Sequence, residues 1–364
     1  MRGVAGQWGL EIIVNGTNID ADPTNCNFTI IQNIHQNLPS FSISYKDSTG
    51  KLIDNPPGDG ASVIITCGVP EKMYAPVKFV CMGSPSIAGN TIKFQGVLDK
   101  ISWTKKIVDK SFEGSTSSVI SQIASEAGLI PDVDSTNDSM VWLPNRTALV
   151  QYARHLMARS FSSEASAMIM AVTDTGKLKY KDINTIAGSS GNILFSYIQG
   201  EGIPILAYST ESKSAASNAS QGYGTTSIGV NEDGSIFEMG KIALKMLSSS
   251  SPVSSIFQSA IGELGARITN FAPLSGNTHE KWNQALHANP RVKATYAFDL
   301  SIISNIPAKA ELLDAVTVKP MNHSTGEEAK ALSGKYIVTA ITKTIMQNRF
   351  IEKSVVTSQA PGGV

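Results

Sequence analysis

Five histidines, His35, His155, His279, His287 and His323, are the first residues to weigh for chemistry. A zinc site needs ligands at short repeats such as HxH or HxxxH, and no two of these stand at either spacing. His279 and Glu280 in THEKW match half of a metalloprotease HExxH whose second histidine is missing. His155 flanks the apolar stripe of a predicted helix, where a satisfied structural role is the default. Asp132 and Asp134 in PDVD could supply the paired carboxylates of a hydrolase. Beside a proline, between two predicted helices, they read instead as turn or cap residues. Lys105 and Lys106 form a basic doublet near a predicted strand, read as solvated edge charges that block strand pairing. There is no GxSxG elbow and no Walker loop, and the Gly turns in GEGIPIL and GDGASV are too short to cradle phosphate. Cys26, Cys67 and Cys81 form no CxxC pair and are expected to be reduced and semi-buried in a cytoplasmically made protein. No catalytic, cofactor-binding or metal-binding residue is assigned. No cofactor is expected, and the chain is not expected to be an enzyme.

The bulk composition points to association instead. The chain has 364 residues, with 30 Lys plus Arg against 30 Asp plus Glu, so its formal net charge is zero. A dedicated nucleic-acid binder would carry a basic surface. Charged residues make up 16% of the chain, below the roughly 25% usual for soluble domains. A surface with few charges and no net charge favours meeting another protein. The N-terminal MRGVAGQWGLEIIVNG lacks the apolar core of a signal peptide, and no run approaches the roughly 18 apolar residues that span a bilayer. No membrane insertion is expected.

The elements that would position any site change character along the chain. The first hundred residues are β-rich. LEIIVNGTNI ends a strand in Asn15-Gly16, a hairpin signal. In SFSISYKD, Phe41, Ile43 and Tyr45 alternate with polar residues, the period of a half-buried strand. Six or more short strands suggest a small barrel or sandwich. The period then becomes helical. Val119, Ile120, Ile123 and Ala127 line one face, with Ser115 or Thr116 as the N-cap and Gly128 as the stop. Leu149, Tyr152, Ala153, Leu156 and Met157 line another, with Asn145 as its predicted cap. A hairpin, AMIMAV to KLKYKD, completes an α/β unit over 111–182. Ser209 to Gly229 lacks any apolar period and reads as a mobile or extended connection. Met239, Ile242, Ala243, Met246 and Leu247 predict a helix, and VSSIFQSAIGELGARITNF and NTHEKWNQALH predict two more. Strands return from Arg291 to Thr357.

Two stretches resemble each other: TIKFQGVLDKISWTKKIVDKSF from Thr91 and LSGKYIVTAITKTIMQNRFIEKSVV from Leu332. Each follows a β-branched strand and opens on a glycine, Gly96 or Gly334, then predicts a strand, a polar turn and a further strand. The glycines are expected to bend the chain at a barrel corner. The fold class expected is therefore α+β and multidomain. It has two small tube-like β-barrels, an α/β insert and a helical connecting region. The expected boundaries are 1–110, 111–192, 193–290, 291–358, and a tail at 359–364.

The order of these features resembles the baseplate hub proteins of contractile-tailed bacteriophages, which share their fold with the N-terminal part of type VI secretion spike proteins. The resemblance rests on LSGKYIVTAITKTI and its partner strand, SSVISQIASEAGL, and NRTALVQYARHLMARSF leading to AMIMAVTDTGKLKY. It covers roughly Ser62 to Asp182 and Trp282 to Thr357. It implies a homotrimer whose two barrels per chain form a pseudo-sixfold ring. That ring would join a hexameric tail tube to a trimeric central spike, contact other baseplate proteins, and pass genome DNA without specific binding. The implied location is the virion tail baseplate, after assembly in the host cytoplasm. The rival readings are a tail-associated peptidoglycan hydrolase and a hexameric distal-tail or tube-initiator protein.

Overall fold

The computed structural model describes residues 8–69, 72–73, 75–144, 146–163, 166–212, 225–230, 236–242, 268–272, 279, 281, 285, 298–347, 349–358 and 361–362. Its first half is a curled antiparallel sheet. β1 (Gly9–Val14) turns through Asn15 and Gly16, both at positive φ (50° and 83°), into β2 (Thr17–Asn18). That is the geometry an Asn-Gly hairpin turn requires. β3 (Cys26–Asn33) and β4 (Ser40–Lys46) bury alternate residues, Phe28 and Ile30 on one, Phe41, Ile43 and Tyr45 on the other. A one-turn helix α1 (Lys51–Asp54) follows, its first-turn backbone N–H groups held by buried Asp47, whose Oδ2 accepts from Leu52 N at 2.7 Å. Then come β5 (Ser62–Val69), β6 (Lys72–Met73), β7 (Val77–Cys81), β8 (Ser86–Ala88) and β9 (Thr91–Leu98). The strand order is β3-β4-β9-β7-β5-β1.

Gly96 sits in the interior of β9, opposite Phe41 on one side and Cys81 on the other. Neither it nor Gly334 has a positive φ, and the pairing of β9 with β4 runs without a register shift through Gly96, so the bend expected of Gly96 is not what it provides. At Gly96 the reason for glycine is close approach. A Cβ there would lie 2.0 Å from the Val80 carbonyl oxygen and 2.7 Å from the Phe41 ring.

The hairpin predicted from Thr91 to Phe112 does not form. After β9 the chain makes a one-turn helix, α2 (Ser102–Lys105), which buries Trp103 completely. It then runs to β10 (Phe112–Gly114), which among the described residues pairs only with β12 (Met140–Trp142). Lys105 and Lys106 therefore end a helical turn and guard no strand edge. Lys106 instead pairs with Glu126 at 3.1 Å.

α3 (Thr116–Glu126) is capped by Ser115, whose Oγ accepts from Ser118 N, and Gly128 terminates it at φ 74°. α4 (Leu149–Met157) has Ala148 at its N-cap with no side-chain bond. The predicted cap Asn145 lies outside the described residues. Buried Asp138 ties the start of α3 down. Its Oδ1 accepts from Thr116 N (2.8 Å) and Thr136 Oγ1 (2.8 Å), its Oδ2 from Thr116 Oγ1 (2.6 Å) and Phe161 N (2.8 Å). β11 (Ile130–Val133) runs parallel to β14 (Lys177–Asp182), which pairs antiparallel with β13 (Met168–Val172), and α5 (Ile183–Gly188) follows. Trp103, Phe112, Val119, Ile123, Leu156 and Tyr180 share one core with Phe28, Phe41 and Phe79.

The second half contains β15 (Ile193–Ser196), β16 (Ile203–Pro204), β17 (Ala207–Ser212), β21 (Phe298–Ser304), β22 (Ala315–Lys319), β23 (Gly334–Met346) and β24 (Arg349–Ser358). Their order is β16-β15-β22-β23-β24-β21-β17. Between them lies a separate sheet, β19-β18-β20, of β18 (Thr225–Val230), β19 (Ile236–Ile242) and β20 (Ile268–Ala272). The helix predicted from Met239 is thus a strand as far as Ile242. Its apolar spacing fits either period, but Gly240 costs about 1 kcal/mol in a helix, and β18 supplies backbone partners. The helix predicted through Asn270 likewise gives way to strand from Ile268. Ser209–Gly229 is ordered strand at both ends, in β17 and β18. The rest of these predicted segments, including the predicted helix NTHEKWNQALH apart from His279, Lys281 and Ala285, lies outside the described residues.

One hairpin joins the halves. Gly334 to Ile337 of β23 pairs with β22, whereas Ala340 to Ile345 pairs with β3. A register shift between Val338 and Ala340 marks the crossing. Tyr336, Ile337, Val338 and Val356 lie in the second core, Ile345 and Phe350 in the first. Trp8, just before β1, stacks on Phe350 with centroids 4.4 Å apart. The first sheet therefore curls back on itself and meets the hairpin tip through rings. Among the described residues, sixteen strands form this one continuous sheet.

Candidate assembly site

The residues weighed for chemistry are held apart and mostly occupied. Buried His279 has Nε2 2.7 Å from the Arg159 carbonyl oxygen and accepts at Nδ1 from Lys281 N (3.2 Å), so both ring nitrogens are engaged. Burial, with Arg159 nearby, pushes the His155 pKa down. His323 stacks on Tyr208. His35 is exposed in a turn; His287 and Glu280 lie outside the described residues. Asp132 and Asp134 do meet, but around Lys181, whose Nζ is 2.5 Å and 3.1 Å from their Oδ1 atoms. Burial works against the Lys181 charge, and the two carboxylates outweigh it and raise its pKa. Burial pushes the thiol of Cys26 up to about 12 and those of Cys67 and Cys81 to about 11, so none is a ready nucleophile. Among the described residues no group of three or more His, Cys, Asp or Glu side chains could hold a metal ion.

The charged residues that the structure does gather lie where the halves meet. Lys343, on the part of β23 that pairs with β3, reaches Asp174 Oδ2 at 2.6 Å. Asp174 is at the tip of the β13–β14 hairpin, and its N–H donates to Oε1 of buried Gln32 on β3 at 3.2 Å. Further along β14, Lys177 and Lys179 reach Glu311 at 3.0 and 3.1 Å, and Lys179 reaches Asp314 at 2.5 Å. None of these residues is flagged by local sequence pattern. They are far apart in the chain, and only the long-range register brings them together.

Glu352 faces Lys343 across the β23–β24 ladder, is 2% exposed, and accepts from Ala308 N at 3.2 Å. Burial raises its pKa more than Lys343 and these donors lower it. The fold therefore favours its neutral form more than the unfolded chain does. The stability it confers is therefore complete below the unfolded glutamate pKa of roughly 4.3 and is lost as pH rises through the folded value. Glu352→Gln is expected to raise the melting temperature at pH 8 and to have a shrinking effect toward pH 4. A variant less stable than the parent at pH 8 would refute this.

The outer edges offer backbone for assembly. Among the described residues, β17 pairs only with β21, and β1 pairs with β5 and, at its last two residues, with β2. Ile198, Leu206 and Ile306 are exposed at 43%, 56% and 48%. Backbone bonds put them near one end of the second half, beside Ser196, Ile303 and Ser304.

No protein-family model and no curated protein matches the sequence. Solved structures match along nearly all of it. A tail protein from Neisseria meningitidis MC58 superposes over 96% of both chains with a TM-score of 0.56 at 9% identity. The 43 kDa tail protein of prophage MuSo2 from Shewanella oneidensis superposes over 96% of this chain and 98% of its own, with a TM-score of 0.59 at 11% identity. The chain has the fold of these tail proteins. A Francisella PdpA-VgrG complex matches 97% of the chain over 58% of its own, with a TM-score of 0.50 at 11% identity. The tail-protein fold thus spans both halves and the insert. No helix among the described residues is long and apolar enough to cross a membrane.

Proposed function

We propose that the protein is the structural hub of a contractile phage-tail baseplate. In this reading three copies form a pseudo-sixfold ring that joins a hexameric tail tube to a trimeric spike and surrounds the path of the DNA. Each chain contributes two tube domains, 1–110 and 291–358, with an α/β insert at 111–192 and a connecting region at 193–290. The observation that carries the reading is the match in fold over nearly the whole chain, both halves included, to two tail proteins. Each half holds six or more strands of the sheet, which suits a chain that must offer two similar surfaces to a sixfold partner. Zero net charge suits a conduit that must not retain phosphates. Free backbone on β1 and β17 suits docking by strand addition, which tolerates divergent side chains. The protein would reside in the virion tail after assembly in the host cytoplasm, with no enzymatic role.

Native mass spectrometry of the purified protein, alone and with the spike, tests the reading. A trimer is expected, at least with the spike present. A stable hexamer would refute it in favour of a distal-tail or tube-initiator ring, and a monomer in both samples would refute ring assembly.

A further inference from the structure

We infer that the β13–β14 hairpin is an electrostatic strut that fixes the angle between the two half-sheets across a hinge in β23. This does not depend on the baseplate reading. Among the described residues, the sheet is continuous between the halves through β23 alone, which pairs with β22 before its register shift and with β3 after it. The shift falls at Thr339, where Ile34 N bonds the Thr339 carbonyl at 3.0 Å and Leu313 N bonds that of Val338 at 2.8 Å. An irregularity there lets a strand bend or twist.

Beside this point β13 lies between the cores. Met168 and Val172 belong to the first, Ala167, Ile169 and Ala171 to the second. Two of the three residues facing the second core are alanines, so little apolar area holds β13 to that side. Ile183 and Ile186 of α5 anchor the far end of β14 in the second core, and along the hairpin itself ion pairs add to this. Lys177 and Lys179 grip Glu311 and Asp314, which precede β22, and Asp174 grips Lys343 beyond the hinge. Lys179 and Asp174 are 6% and 8% exposed in their side chains, so a geometry that separated either from its partner would leave a desolvated charge uncompensated. The hairpin thereby bonds to β23 past the hinge and to the second half before it, which is what a strut across a hinge must do.

The test uses spin labels on exposed positions in each half, Ile87→Cys and Ile306→Cys, in a Cys67→Ser background. Double electron–electron resonance then reads the spread of inter-half distances. Glu311→Gln/Asp314→Asn frees one end of the strut, and Asp174→Asn frees the other. Each is expected to widen the distribution at least twofold while hydrogen exchange in β4 and β9 stays native. A distribution as narrow as the parent's, in either variant with native β4–β9 protection, overturns the inference. Loss of that protection in both variants also overturns it, since the pairs would then support the fold as a whole. If only one variant loses protection, the other decides.

Discussion

Gly96→Ala is expected to destabilise the protein by about 3 kcal/mol, near the top of the range for overpacking a tight interior. The new methyl would be 2.0 Å from the Val80 carbonyl oxygen. That oxygen belongs to β7, whose Val80 is itself in register with Val97 of β9, so it cannot retreat without breaking the ladder. The Phe41 ring at 2.7 Å closes the other route, and it is packed against Phe79 at 5.0 Å. Urea unfolding of the variant beside the parent measures the loss. A midpoint unchanged from the parent would show that β7 and β9 can spread, and that close approach is not why glycine stands there.

The second large effect is expected at Asp138. Asp138→Ala removes four acceptor contacts at once and leaves the backbone N–H groups of Thr116 and Phe161 without that partner in a buried setting. At about 1–3 kcal/mol for each orphaned buried group, the loss should reach roughly 3–5 kcal/mol. It should be local first. Hydrogen exchange in α3 and around Phe161 is expected to rise while β18–β20 pairing is unaffected. Asp138→Asn keeps an acceptor for one N–H and should lose about half as much. Equal stability of Asp138→Ala and the parent would rule out the clamp.

What the sequence revealed depended on range. Alternation at Phe41, Ile43 and Tyr45, the Asn15-Gly16 turn, and the Ser115 cap with Gly128 are local signals, and each element forms as read. Met239 and Ile242 misled because a spacing of three with an intervening glycine satisfies a helical stripe, while strand pairing to β18 leaves no local mark. Gly96 was noticed for the wrong property: bending and crowding both select glycine, and only coordinates separate them. The apparent duplicate at Thr91 failed because Trp103 buries itself in a helical turn. The Asp174–Lys343 and Lys179–Glu311 pairs could not be seen at all. They join residues 169 and 132 positions apart by number, through a register that no short window contains.

The shared hairpin has a consequence for synthesis. Thr29 on β3 touches Thr344 on β23, 315 residues later. At about 5–20 residues per second, the ribosome emits β3 on the order of 15–60 s before the strand that covers it. Throughout that interval one flank of the nascent first sheet has open hydrogen-bonding groups next to Phe28 and Ile30, a template for wrong partners. Nearby copies on one polysome expose the same flank together. Correct folding in the cell then depends on whatever shields that flank, a chaperone or a temporary non-native contact, until the last strands arrive.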